Sequence, residues 1–265
     1  NKKIIDDLEH TQYGKNNYTD SRGYITNYEL PEPVNLIGLI TSKKGTVRAN
    51  HFHPIQEQKC LVTKGSFISV YKDLLSGDDK IVTHVVNENQ LIVTKPNVAH
   101  AMVFPEDTKF LNLVRGEREH KNYGISHTMP MKIVDDNFKK LLLEGYKFNC
   151  RVCANKDMKR VLSLGLMPLA NNLNPNAKTE STKYPLEVNL CNKCYNCQLS
   201  YVVDPKKMFK NYLYLSSTSS IFVDHFKKAA DKYIKKFNLK SNSCIIDIGS
   251  NDGIALKPFL DKGFY

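Results

Sequence analysis

Several absences narrow the field first. The 265-residue chain has no apolar run near the ~18 residues that a membrane helix requires, so neither a span nor a membrane partner is expected. Its opening residues, Asn1-Lys2-Lys3-Ile4-Ile5-Asp6-Asp7, contain no apolar signal segment, which points to the cytoplasm. No methionine opens the chain, and it is expected to have been cut from something longer. Arginine is scarce and no block of five like charges occurs, although Lys and Arg outnumber Asp and Glu by 38 to 27 and the formal net charge is +11. Readers of nucleic acid lean on bidentate arginine. No nucleic-acid partner is therefore expected, with a basic zinc ribbon as the competing reading. Scattered lysine also suits a nucleotide-linked substrate. No internal repeat is visible.

Seven cysteines are present, an odd number. Without a signal segment this argues against a disulfide framework. Their spacing is that of metal ligands: Cys150-Arg-Val-Cys153 and Cys191-Asn-Lys-Cys194 are two CxxC pairs. Each turn aims two thiolates at one point, and two turns close an S4 tetrahedron, the geometry of structural zinc. Cys194-x-x-Cys197 is a competing pair; the Cys191/Cys194 pairing is preferred. With four positions filled, no coordination site is left for catalysis.

Apolar periodicity divides the chain. Short runs at 34–40, 59–70, 80–86, 90–94, 101–104 and 109–114, several alternating in period two, predict strands. Many short strands punctuated by turns imply an all-β sandwich or jelly-roll barrel over 1–134. Asp135-Asp136 caps a helix whose apolar face is Phe138, Leu141 and Leu142, ended by Gly145. A loop-rich segment at 148–200 is expected to need its metal as a staple. In 201–265, Phe222, Phe226, Ala229, Tyr233 and Phe237 predict a helix with Ser220 as N-cap. Cys244–Gly249 reads as a buried strand entering a glycine turn, followed by a helix near 254–260.

Three groups of residues carry chemistry. His51 and His53 are two apart on a strand, so both rings share one face. With Gly45, Glu57 and Gly65 they resemble the first motif of the cupin family, and Lys95-Pro96-Asn97-Val98-Ala99-His100 resembles the second. Metal-binding cupins carry an acid where counting back from Gly65 reaches Gln58; Glu57 fits a shorter spacing. The pattern Arg48-x-x-His51-x-His53-x-x-x-x-Gln58 is closer to the sugar-nucleotide cupins, ketoisomerases and epimerases. That resemblance implies metal-free proton transfer α to a ketone by His51, His53 and His100. Arg48 and Gln58 would bind substrate, and the barrel would be able to homodimerise. Metal binding and a non-catalytic sugar-binding barrel remain open.

A second resemblance begins at the cysteines. Cys150-Arg-x-Cys153, Leu164-Gly165-x-x-Pro168-Leu169-Ala170-Asn171, Tyr184-Pro185-Leu186, the cysteine run ending in Gln198-Leu199, and Tyr212-Leu213-Tyr214-x-Ser216-Ser217 are similar to the zinc-containing C-methyltransferases of nucleotide-linked keto-sugars. It implies S-adenosylmethionine as donor, with Tyr212 and Tyr214 beside the sugar nucleotide. The turn Asp247-Ile248-Gly249-Ser250-Asn251-Asp252-Gly253 resembles the first motif of class I methyltransferases, which assigns Asp247, Gly249, Asn251 and Gly253 to the donor. It is not a GxGxxG dinucleotide fingerprint. The expected whole is multidomain: a cupin jelly roll, a small zinc-binding α+β domain at 148–200, and the first βα unit of a Rossmann-like donor domain in 201–265. Only the opening of that donor domain is expected here, since a doubly wound domain needs several βαβ units.

Overall fold

The computed structural model describes residues 9–20, 23–30, 33–115, 127–170, 172–174, 176, 179–210 and 214–264. The chain forms two compact units, one of Asn1–Leu169 with Asn174–Lys207 and one of Ala170–Leu173 with Met208–Tyr265. In the larger unit the first strands are β1 (Glu9–Tyr13), β2 (Lys15–Asp20), β3 (Gly23–Asn27), β4 (Leu36–Ser42), β5 (Val47–Phe52) and β6 (Gln58–Lys64). They continue as β7 (Ser66–Asp73), β8 (Ile81–Asn87), β9 (Gln90–Thr94), β10 (Val98–Val103), β11 (Thr108–Val114) and β12 (Met129–Pro130). The sheets run β1-β9-β6-β11-β4 and β12-β5-β10-β7-β8, all antiparallel, with β2 and β3 as a separate hairpin. Strands β4 to β11 thus fill two four-stranded sheets, the chain crossing between them at every step except β7 to β8, in the connectivity of a jelly roll. The expected run at 59–70 is two strands, broken at Gly65, whose φ of +82° turns the chain where a side chain would be strained.

Alternation fixes what each face holds. Cys60, Val62, Phe67, Val86, Ile92, Met102, Phe104 and Phe110 form the core between the sheets. The opposite face of the second sheet presents Ile68, Val70, Ala101 and Val103. That face is covered by helix α1 (Asp136–Gly145) and by a three-stranded sheet of β13 (Met158–Pro168), β14 (Lys183–Cys191) and β15 (Cys197–Leu199). Asp135 caps α1 by accepting the Phe138 amide at 2.7 Å. Gly145 is required by packing: a Cβ there would lie 2.1 Å from the Tyr201 ring. The loop-rich reading of the cysteine segment is corrected here. β13 and β14 are 11 and 9 residues long, and Tyr184 of β14 packs into the core built on the barrel's outer face.

A buried polar joint ties the two parts of this unit together. Glu187 of β14, 1% exposed, accepts from Thr83 Oγ1 of β8 at 3.0 Å, Ser200 Oγ at 2.7 Å and the Tyr146 hydroxyl at 3.3 Å. Tyr146 also donates to Thr83. Arg160 of β13 donates to the Thr83 carbonyl at 2.9 Å and lies 3.9 Å from Glu187. Burial raises the Glu187 carboxyl above its usual range, against the pull of Arg160 and the hydroxyl donors.

The smaller unit holds α2 (Pro205–Phe209) in part, a 3-10 turn at Ser216–Thr218, α3 (Ser220–Phe237) and α4 (Lys257–Leu260). Three expectations are corrected. The N-cap position of α3 is Ser219, one residue earlier than expected. Its buried stripe is Ala230 with Ile234, against Phe259 and Phe264, whereas Tyr233 and Phe237 stay exposed. The expected strand at Cys244–Gly249 is absent, and Ile246 and Ile248 are 79% and 95% exposed. No other strand exists in this unit among the described residues, so nothing completes a ladder or buries the apolar run.

Candidate functional site

His51 lies on β5 and His100 opposite it on β10, as direct register partners; His53 follows the end of β5. The ring centroids are 4.8 Å apart for His51–His53 and His51–His100, and 5.5 Å for His53–His100. One ring nitrogen from each lies within 4.8 Å of the others, and all three rings are buried. Carbonyls can only accept, so two tautomers follow from geometry. His53 Nδ1 donates to the His127 carbonyl at 3.0 Å and His100 Nδ1 donates to the Val98 carbonyl at 3.0 Å. In its neutral form each ring then keeps a lone pair on Nε2. His100 Nε2 meets no partner among the described residues. Burial pushes the His100 pKa down to about 4, so this ring is neutral near pH 7.

Arg48 joins this face through a device invisible in the spacing. Ala49 and Asn50 have φ of 65° and 56°, and the β5–β10 register skips one residue there. This bulge brings Arg48, paired with Met102, onto the same face as His51, three positions away. Its guanidinium crosses to the other sheet, donating to Ser42 Oγ at 2.6 Å and to the Thr41 carbonyl at 2.7 Å. Gln58 occupies the Cys60–Val62 face of β6, toward the same interior, and its buried Oε1 has no partner among the described residues. Two further residues were missed from sequence. The His127 ring lies 5.6 Å from that of His53, and Thr128 Oγ1 lies 2.6 Å from His127 Nδ1 and 3.4 Å from His53 Nδ1. They arrive with β12, 74 and 75 residues along the chain, and no local motif marks them.

The cysteines form a second array. The Cys150–Cys194 and Cys153–Cys191 sulfurs are 3.5 and 3.6 Å apart, and all four lie within 4.8 Å of one another. A tetrahedral ion with Zn–S of about 2.3 Å sets sulfurs about 3.8 Å apart, so the cluster is near that size. Cys197 lies outside it, on β15. The two knuckles repeat each other. Cys150 N donates to the Asn155 carbonyl and Ala154 N to the Cys150 carbonyl; Cys191 N donates to the Asn196 carbonyl and Tyr195 N to the Cys191 carbonyl. Ala154 and Tyr195 share a left-handed φ, 57° and 59°. Each asparagine also crosses over, Asn155 Nδ2 to Cys191 Sγ at 3.7 Å and Asn196 Nδ2 to Cys150 Sγ at 3.8 Å. The signal was legible as C-x-x-C-x-N written twice. The Cys194 amide leads in lowering Cys191 to about 6, and the Cys153 amide lowers Cys150. The Asn196 amide pulls Cys194 down, but the surrounding thiols push it up to about 12. The four thiols therefore cannot all ionise without a cation among them, and the donor set fits zinc.

In the smaller unit, Gly249, Asn251 and Gly253 take φ of 83°, 52° and 78°. Asn251 donates to the Tyr214 carbonyl at 3.2 Å and accepts from the Ser216 amide at 3.2 Å, while Asp252 accepts from the Ser217 amide at 2.8 Å. Gly249, Ser250 and Asn251 with Phe209, Tyr214 and Leu215 line a hollow of about 490 Å³. A Cβ on Gly249 would meet nothing within 4 Å, so the backbone is open to a ligand there. Asp247 is half-buried outside this lining, and Tyr212 lies outside the described residues.

Comparison with known proteins touches both parts. Residues 150–209 match a family model described as a putative zinc binding domain. The C-methyltransferase NovU of Streptomyces niveus is 32% identical over 116 residues, 43% of this chain and 28% of NovU. The chain thus spans less than a third of the length of that relative. Among solved structures, a variant of the QdtA 3,4-ketoisomerase of Thermoanaerobacterium thermosaccharolyticum is 22% identical with a TM-score of 0.38, over 43% of this chain and 84% of that one. An RmlC 3,5-epimerase of Legionella pneumophila is 14% identical with a TM-score of 0.41, over 50% and 77%. The jelly roll is assigned from its own strand order.

Proposed function

We propose that this chain belongs to a protein that modifies a nucleotide-linked deoxysugar. Its jelly roll would isomerise, epimerise or bind a keto-sugar, and its cysteine module would open a C-methyltransferase that uses S-adenosylmethionine. The observation that carries the barrel's part is the histidine array, in which His53 and His100 each present an Nε2 lone pair beside His51. A ketone acidifies its neighbouring C–H, a ring nitrogen takes that proton, and reprotonation at the same or the next carbon returns an epimer or isomer. His51 and His53 would move the proton, His100 would assist as a neutral ring, and Arg48 and Gln58 would hold the substrate. The methyltransferase part rests on the match to NovU and on the Cys150, Cys153, Cys191 and Cys194 cluster, with zinc as structural staple. The donor supplies an activated methyl when bound; Asp247, Gly249, Asn251 and Gly253 would hold it, with Tyr212 and Tyr214 toward the sugar. The division into 1–134, 148–200 and 201–265 is part of this proposal, as are cytoplasmic residence and a barrel able to homodimerise.

The test is deuterium wash-in from solvent into a dTDP-4-keto-6-deoxyhexose. Wild-type protein should exchange the C–H next to the ketone, and His51→Asn and His53→Asn should each slow exchange by roughly 10² to 10⁴. Binding without exchange in the wild type would leave a sugar-binding barrel. One observation favours a second reading: the three ring nitrogens within 4.8 Å of each other are also a metal-capable set. Exchange abolished by a chelator and restored by Mn²⁺ or Fe²⁺ would select that reading.

A further inference from the structure

A hollow of about 350 Å³ lies where the barrel meets the cysteine module, away from both arrays described above. The barrel contributes Asn87 from the edge strand β8, the linker contributes Lys147 and Phe148, and the module contributes Lys159, Arg160 and Asn189. Its charge is unbalanced. Lys147 and Lys159 pair with no acid among the described residues. Of the two acids in the lining, Asp157 is turned to Asn192 Nδ2 at 2.9 Å and Glu187 is occupied by the hydroxyls of the joint and by Arg160. Asn189, 8% exposed, turns its side-chain amide to the lining. Phe148, half-buried, adds a flat apolar wall.

We propose that this hollow is a second ligand site, built for a small phosphate ester with a polar body such as a sugar phosphate or a nucleoside diphosphate. Lys147 and Lys159 would hold the phosphate, as compact strongly hydrated cations do. Asn189 and Asn87 would meet hydroxyls or a base edge, and Phe148 would flank the ring. The site spans the barrel and the module, so its occupant would stabilise their joint by binding only when both are in place. This inference does not depend on the chemistry assigned to the histidines.

The experiment is calorimetric titration of the whole zinc-loaded chain with dTDP, glucose 1-phosphate and inorganic pyrophosphate. dTDP or glucose 1-phosphate should bind at the joint, and Lys147→Ala combined with Lys159→Ala should weaken that event by tenfold or more. Asn189→Asp, which keeps the size and adds a negative charge, should weaken it as well. His53→Asn and Arg48→Ala should leave it unchanged. Selective binding of glucose 1-phosphate would name a sugar phosphate as occupant and selective binding of dTDP a nucleotide, whereas binding of pyrophosphate alone would overturn a site built for an ester with a polar body. If no probe binds, or if the lysine variant matches the wild type, the proposal fails. If dTDP binding is lost only in the barrel variants, the joint site is again overturned while the barrel reading stands. Should dTDP bind once per wild-type chain and be lost only in the lysine variant, the joint site stands while nucleotide binding in the barrel fails.

Discussion

The jelly roll and the cysteine module both hold polar groups in a fixed array, and they do so by opposite means. In the barrel, His51 and His100 sit on paired strands beside a core of Phe67, Phe104 and Phe110, and apolar burial fixes the strands whether or not the rings are present. In the module, the sulfurs are aimed by knuckles of backbone hydrogen bonds, and the four thiols crowd together without a counter-charge of their own. The barrel's array is therefore removable without loss of fold, while the module's array is part of the folding free energy.

The sharpest way to break this contrast is to take the metal away. Cys153→Ser or Cys191→Ser should lose zinc and an apparent stabilisation on the order of 10 kcal/mol. Hydrogen exchange should then accelerate through β13 and β14 while β6, β7 and β10 stay protected. Zinc retained at full occupancy with unchanged protection would refute the structural role.

The joint offers a smaller perturbation. Glu187→Ala strands the hydroxyls of Thr83, Tyr146 and Ser200 together with Arg160, all inside a buried contact. The cost should be about 4 kcal/mol in denaturant unfolding. A loss near zero would mean that the outward face built on Ile68, Val70, Ala101 and Val103 joins barrel to module without help.

Acid should weaken the barrel through its buried histidines. His100 is held neutral by burial, with a pKa of about 4 against an ordinary value of 6.5, and burial drives His84 well below its ordinary value too. A depressed histidine favours the folded state above its unfolded pKa, and that stability drains as pH falls from 6.5 toward 4. His100 alone should account for about 3 kcal/mol, at about 1.4 kcal/mol per pH unit. Replacing His100 by Gln should flatten the stability curve in that window. An unchanged slope would show that the ring is already hydrated in the folded protein.

What the amino-acid order determined by itself was local and periodic. Alternating apolar residues called for the barrel strands, Asp135 for the start of α1, the paired CxxC turns for a four-sulfur cluster, and His51-x-His53 for two rings on one face. These follow from neighbours within a few residues, where backbone geometry alone decides direction. Only the tertiary structure decided the rest. The bulge at Ala49-Asn50 turned Arg48 inward because the β10 register demanded it. His127 and Thr128 reached His53 across 74 and 75 residues because β12 lies along β5. The cysteine segment became sheet because a barrel face was there to cover. Cys244–Gly249, apolar enough for a strand, stayed irregular, because a strand exists only when neighbouring strands accept and donate its backbone hydrogen bonds.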